Sequence, residues 1–428
     1  MRRCLIGHSE EGRPIWVLYP GLEAAPLRIL MMARQHGDEH RGQQAVQRYA
    51  RAGPPHVDPS VPVAVAVVPE VNPDGAARRN RTNARTVDLN RDHMLLASAE
   101  TQTLHRFVRS WRPHLIVDVH DFPPRRRHLL ARELIYCHDV FLDVPTHPAA
   151  QHPALGQEGT RLLQPILSAL DAAGYRSSRY TRVTKKGRVR HSTPDVVDAR
   201  NGLALRYGLP TVLVEGRRWS RGDPPTAKAH VLAGMEKALS LIVRWAQENA
   251  APLTDASRRP ADYEPVPVRC VYRRAPSPCT LEFANAHSGQ IDAVALPGPF
   301  TPRVEARSRM SLPRAYAVPR TLRALLEVLG RHGFALEAPP RNRIEIERYW
   351  IEGLKPPKRP NRSPRKLSLC VGAEDRPLDY YVLVPVTTDG GAALAVFLEP
   401  TSKYGLARFA EMSLPLTPRS AYPVLRVP

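Results

Sequence analysis

Nowhere in this chain of 428 residues is there a run of about eighteen apolar residues. A bilayer-crossing helix needs at least that many, so no membrane span is expected. The opening, MRRCLIGHSEEGRPIWVL, has two arginines directly after Met1 but no apolar stretch of leader length, because His8 to Arg13 interrupt it. The expectation is a cytoplasmic protein, or a secreted or periplasmic one if a segment precedes Met1. Cysteine is scarce. Five are scattered along the chain, Cys4, Cys137, Cys270, Cys279 and Cys370, with no CxxC pair. That argues against a disulfide framework and against a thiolate metal site, and leaves one Cys270–Cys279 bridge open. Acidic residues are also short in number, 41 against 62 lysines and arginines, for a net charge of +21. Such a charge can serve nucleic acid. Here the arginines are dispersed, aromatics make up only 6% and do not interleave with them, and no nucleic-acid motif occurs. The charge therefore reads as arginine-biased composition on a solvated surface.

What the chain does have is alternation. Up to about residue 247, short apolar runs at 27–33, 61–68, 115–119 and 211–214 read as buried strands. Between them lie helical stripes: Leu104, Phe107, Val108 and Trp111; Leu162, Leu163, Ile166, Leu167 and Leu170; Leu232, Met235, Leu239 and Ile242. This pattern predicts an α/β domain over residues 1–247, with a mixed, largely parallel sheet flanked by helices. Residues 248–264 have linker composition. Beyond them, over 265–428, short alternating segments dominate, at 266–272, 344–349, 381–386 and 393–398, with one helix at 321–330 and a basic, proline-rich loop at 354–365. This second region is expected to be a smaller β-rich accessory domain.

Four polar residues share one placement. His36, Asn72, His120 and Glu215 each follow an apolar run. Ligands of open α/β sheets bind at the carboxyl ends of the strands, so four strands deliver polar groups to one edge. In RQHGDEHRG, His36 and Glu39 stand three apart where a strand passes into a helix, and such a turn can aim an imidazole and a carboxylate at one ion. Zn²⁺ accepts both donor types, and a catalytic zinc needs only three protein ligands. His120, in VDVHDF, is the natural third. An H-x-x-E pair alone is a common chance match. Asp118, two residues before His120 on its strand, shares its face and could orient the imidazole from behind.

The stretch 72–92, NPDGAARRNRTNARTVDLNRD, is more specific. With Asn72-Pro73-Asp74-Gly75, Arg81-Thr82-Asn83 and Asp88-Leu89-Asn90-Arg91, it resembles the zinc metallocarboxypeptidases, the carboxypeptidase A-like peptidases. IGHSEEGRPI at 6–15 and ARNGLALRYGLPTVLVEG at 199–216 are similar to other parts of that family, so the resemblance covers about residues 5–218. It implies that His36, Glu39 and His120 hold one zinc ion. It implies that Glu215 is the general base, that Arg81 polarises the scissile carbonyl, and that Asn90 and Arg91 bind the substrate's terminal carboxylate. Thr86 departs from the family, which usually has glycine there, and His93 stands where an aromatic is common. Tyr180 and Tyr207 are both candidates for the family's substrate-contacting tyrosine. Arg200, fifteen residues before Glu215, could favour an acidic terminal side chain. Residues 313–334, 396–409 and 422–427 are similar to a β-rich extension of some bacterial members.

The resulting expectation is a zinc metallocarboxypeptidase acting on peptides. An amidohydrolase or deacylase of small acylated amino acids, like the desuccinylase and aspartoacylase group, is the alternative within enzymes. A binding protein on the same fold is the alternative outside them.

Overall fold

The computed structural model describes residues 2–19, 25–53, 60–219, 224–255, 265–354, 367–387 and 389–428. Among the described residues, eleven strands precede residue 218: β1 Arg2–His8, β2 Pro14–Tyr19, β3 Leu27–Ala33, β4 Val63–Val68, β5 Leu115–Phe122, β6 Leu134–Tyr136, β7 Val140–Asp143, β8 Ser177–Arg179, β9 Arg182–Val183, β10 Val189–Arg190 and β11 Thr211–Arg217. Eight of them form one sheet in the order β1-β2-β4-β3-β5-β11-β7-β8. Its centre, β4-β3-β5-β11, is parallel, while β1, β2 and the β11–β7 pair are antiparallel. The four expected strands are all present, and all lie in this parallel centre.

Among the described residues, seven α-helices accompany the sheet: α1 His40–Ala52, α2 Pro73–Arg78, α3 Ala99–Trp111, α4 Arg127–Leu130, α5 Thr160–Ala172, α6 Ala199–Tyr207 and α7 Pro225–Glu248. The period of two along a strand sorts the core. In β3, Ile29, Met31 and Ala33 pack with α1, α5 and α7, while Leu30 and Met32 face α3 and α6. Both faces are therefore covered, which is why the central strands carry near-continuous apolar runs rather than alternating ones.

Residues 266–428 add further sheets. Val266–Arg273 pairs with Arg303–Met310, and Ala315–Pro319, Ile344–Leu354, Leu367–Arg376, Tyr381–Pro385 and Leu425–Val427 lie in a six-stranded sheet. Cys279–Asn285 pairs with β6, opposing Phe283 to Tyr136. One apolar cluster joins Met94, Ala149, Val196 and Ala204 to Tyr316, Val396 and Phe397. The helix expected near 321–330 spans Arg323–Arg331. The segment 393–398, expected among the β-type stretches, is instead helix Gly391–Leu398, buried at every position. A short run that is apolar on all sides has no period to separate strand from helix, and its alanines favour the helix.

Residues 250–254 of the expected linker form a short helix, Ala250–Thr254. Residues 256–264, and 355–365 of the expected basic loop, lie outside the described residues. Cys4, Cys137, Cys270 and Cys279 are free thiols, so the Cys270–Cys279 bridge is not formed. No helix among the described residues is long and apolar enough to cross a membrane.

Candidate metal centre and active site

The chain leaves β3 through Arg34, which adopts a left-handed φ of 57°, and turns through Gln35, His36 and Gly37. A Cβ on Gly37 would lie 2.0 Å from the carbonyl carbon of Gly75. Only glycine lets the H-x-x-E turn and the NPDG turn meet backbone to backbone. Asn72 fastens the same junction. It accepts from Gly75 N at 2.8 Å and donates to Gln35 O at 3.1 Å. Asn72 thus sits at the expected sheet edge as a brace for the turn. Glu39 occupies the N-cap of α1 without capping it, so its carboxylate is free to face His36 and His120.

His36, Glu39 and His120 are buried, and each offers a donor atom within 4.8 Å of the others. Glu39 Oε1 lies 2.9 Å from His36 Nδ1, and Oε2 lies 2.8 Å from His120 Nδ1. His36 Nδ1 is buried without a hydrogen bond. Behind the imidazoles stand two carboxylates. Asp88 Oδ1 is 3.1 Å from His36 Nε2, and Asp118 Oδ2 is 3.0 Å from His120 Nε2. Carboxylates placed so fix the ring orientation and would leave Nδ1 as the donor for a metal ion. Burial raises the Glu39 carboxyl, but His36 and then His120 outweigh it and hold it well below the usual range. Burial lowers His120, but Asp118 and Glu39 outweigh it and raise it well above the usual imidazole value. The site therefore favours a positive charge at this point, and its N, N, O donor set suits Zn²⁺.

Glu215 lies beside His120 across the β5–β11 pair and opposite Phe141 on β7. It is half-buried and has no hydrogen bond or ion pair with a described residue. Burial pushes its carboxyl up to about 7. Arg81 donates from Nε to Asp88 Oδ2 at 3.0 Å, and its Nη1 is 3.7 Å from Glu39 Oε1. Asn90 Nδ2 is 3.3 Å from His120 Nε2, while Asn90 Oδ1 accepts from Ala199 N at 2.8 Å. Arg91 is exposed, and its guanidinium donates to Asn90 O.

Two open choices are narrowed by packing. Tyr207 is buried in the core with its hydroxyl 2.8 Å from His105 Nδ1. The ring of Tyr180 lies 5.8 Å from that of Phe141, the cross-strand partner of Glu215, so Tyr180 is the tyrosine beside the site. Arg200 is 4% exposed and pairs with Asp143 at 3.1 Å. Its charge is already matched, which removes it as a reader of acidic side chains.

Sequence reasoning overlooked three residues. Asp88 was read only as a letter of the D-L-N-R motif. Arg218, three residues past Glu215, reaches Glu39 Oε1 at 3.1 Å and Asp38 Oδ2 at 2.9 Å. Gln35 donates to Asp118 Oδ1 at 2.8 Å and accepts from His93 Nε2 at 2.7 Å. His93 Nδ1 then lies 3.1 Å from His105 Nε2, and His105 meets Tyr207. A buried polar chain thus runs from Asp118 through Gln35 to Tyr207. Burial keeps both of these imidazoles neutral, with His93 down at about 4 and His105 well below its usual value. One direction of proton donation satisfies every link, from Tyr207 O–H to His105, from His105 to His93, and from His93 to Gln35.

Residues 1–114 match the model of a family described as "Peptidase_M14: Zinc carboxypeptidase". That span takes in His36, Glu39, Arg81, Asn90 and Arg91. Over 225 residues the chain is 27% identical to "Carboxypeptidase 2" of Trichophyton rubrum, covering 46% of this chain and 40% of that one. Residues 1–114 are thus similar to the zinc carboxypeptidases. "Carboxypeptidase SOL1" of Arabidopsis thaliana is 37% identical over 99 residues, 20% of each chain. The chain spans less than half the length of these curated relatives. Among solved structures, a metallo-carboxypeptidase from Burkholderia cenocepacia aligns with a TM-score of 0.42 and 18% identity, covering 58% of this chain and 65% of that one. Zinc is the metal of the zinc carboxypeptidase family, and the His36–Glu39–His120 cluster can bind one metal ion. His120 and Glu215 lie beyond the family-model match, and the register of β5 with β11 brings them together.

Proposed function

We propose that the protein is a zinc-dependent carboxypeptidase, with residues 1–247 as its catalytic unit, 248–264 as a linker and 265–428 as an accessory unit. The observation that carries this reading is the juxtaposition of the His36–Glu39–His120 cluster with Glu215, an acid that is neutral or charged with nearly equal ease at pH 7. His36, Glu39 and His120 would hold the metal. Zinc, when bound, supplies a Lewis acid that makes water nucleophilic near neutral pH. Glu215 takes the proton of the attacking water and passes it to the departing amine. Arg81, beside Glu39, faces the charge that develops on the carbonyl oxygen, where a guanidinium is most effective once water is excluded. Arg91 and Asn90 hold the terminal carboxylate of a peptide substrate, since a guanidinium suits a carboxylate in bidentate fashion.

The last assignment separates a carboxypeptidase from an endopeptidase or an amidohydrolase. Amidating the substrate's C-terminus removes the partner of Arg91. A charged hydrogen bond is worth about 1.5–3 kcal/mol, so kcat/KM should fall at least ~10-fold. Arg91→Ala should slow hydrolysis of the free acid and be almost indifferent to amidation. Equal wild-type rates on matched free-acid and amidated peptides would remove the carboxypeptidase reading.

A further inference from the structure

Phe141, opposite Glu215 in the sheet, and Phe122, two residues beyond His120, have rings 4.6 Å apart. They border a cavity of about 230 Å³ whose apolar wall is completed by Tyr136 and Tyr180. All of its charged lining is cationic: Arg126, Arg127, Arg182 and Lys185 contribute, and no aspartate or glutamate does. None of these four side chains has a hydrogen bond or ion pair with a described residue. The contrast with the surroundings is sharp. Arg34 pairs with Glu70, Arg200 with Asp143, and Arg218 with both Asp38 and Glu39. Those arginines are matched by carboxylates, whereas the four cations of the cavity make no ion pair with a described residue, and Glu215 acts on Arg126 only at a distance.

The cavity is also held in shape. Tyr136 Oη donates to Thr181 O at 3.0 Å and accepts from Val183 N at 3.3 Å. His128 Nε2 donates to Val183 O at 2.8 Å. The β9–β10 hairpin that carries Arg182 is buttressed from the C-terminal region, where Val189 N donates to Pro299 O at 3.1 Å and Val189 O accepts from Thr301 N at 2.9 Å. A preformed pocket does not pay its ordering cost on binding. Like charges converging on such a pocket repel one another, and an anion relieves that repulsion. Arg126 is half-buried, whereas Arg127, Arg182 and Lys185 are exposed, so Arg126 is the least screened by solvent.

We propose that this cavity is the subsite for an acidic side chain of the substrate, with the carboxylate received by Arg126 and flanked by Arg182 and Lys185. The methylene stem of a glutamate would lie against Phe122, Phe141 and Tyr180. The proposal rests on the peptide-hydrolase reading and adds to it a preference for aspartate or glutamate close to the scissile bond.

The test uses peptides that carry Glu or Gln at each of the three C-terminal positions in turn. Their binding to full-length, metal-loaded protein carrying Glu215→Gln is measured by calorimetry. At one position the Glu peptide should bind at least ~10-fold more tightly than its Gln counterpart, the factor that one charge-assisted hydrogen bond supplies. Arg126→Gln should erase that ratio, and Arg126→Lys should restore part of it. Equal affinities at every position overturn the proposal. So does a preference that survives Arg126→Gln combined with Arg182→Gln, or no measurable binding of any peptide. The same peptides are then incubated with the wild-type protein. If none loses a C-terminal residue, the carboxypeptidase reading fails, while the calorimetry decides the subsite independently.

Discussion

Glu215 is unlike the other acids around the metal cluster. Glu39 is flanked by two histidines, Asp88 by His36 and Arg81, and Asp118 by His120 and Gln35. Each of them accepts a hydrogen bond or ion pair, and those partners hold Glu39 and Asp88 below the usual carboxylate range. Glu215 has no such partner, and burial moves its carboxyl to about 7. A proton carrier works best when its pKa lies near the working pH. Glu215→Gln keeps the shape and loses the basicity, so kcat should fall by about 10²–10⁴-fold with zinc content unchanged by elemental analysis. His120→Ala should instead lose the zinc. A Gln variant with near-native turnover would sink the role. At this scale the sequence was most legible where residue type and short spacing suffice, as for His36 and Glu39. Arg218, Gln35 and the role of Asp88 escaped because their partners lie 179, 83 and 52 residues away in the chain. No local pattern encodes such distances.

The turn between α2 and Asp88 shows the same division at the level of elements. Asn83 Oδ1 accepts from Arg85 N and Val87 N, and Asn83 O accepts from Thr86 N, closing a tight loop that presents Asp88 and Asn90 to the cluster. This geometry puts Thr86 at φ 60°, where a β-branched residue is strained. The departure from the family's glycine is therefore a local cost. Thr86→Gly should raise stability by about 1 kcal/mol in urea unfolding, with the cluster unchanged. A glycine variant that is less stable would mean that the loop gains more from the threonine than the backbone loses. The strands of the parallel centre were legible because burial on both faces favours near-continuous apolar runs, and His36, His120 and Glu215 stand at or just beyond the ends of three of them. Helix Gly391–Leu398 was not, because an element buried on all sides carries no amphipathic period. Tyr180 and Tyr207 could not be separated by position either. What distinguishes them is that one packs beside Phe141 while the other closes a polar chain inside the core.

Across the whole molecule, net charge and buried histidines act in the same direction. The chain carries +21 at pH 7 with its histidines neutral, and acidification adds to a self-repulsion already present. Several histidines are folded into places where a second proton has no room. His147 Nδ1 accepts from Ala149 N at 3.1 Å, and His332 Nε2 donates to Met94 O at 2.9 Å. Burial pushes both down to about 3. In the unfolded chain they would titrate near 6.5. Below that value the unfolded state binds protons that the folded state refuses, so the stability these groups contribute is full above pH 6.5 and is lost as pH falls toward 3. His120, raised by Asp118 and Glu39, works the other way, and so do the carboxyls of Glu215 and Asp121, which burial pushes up to about 7 and about 6, so these groups offset part of the loss. The lowered carboxylates of Glu39 and Asp88 lose their contribution only below about pH 4. Urea unfolding at pH 7.5 and 5.0 should therefore show a marked loss at the lower pH, of about 2 kcal/mol for each such histidine at full effect. His147→Gln and His332→Asn remove the titrating groups, and each should shrink the difference between the two pH values even where it lowers stability at pH 7.5. If both variants keep the wild-type pH dependence, the acid sensitivity belongs to the surface charge and not to the buried imidazoles.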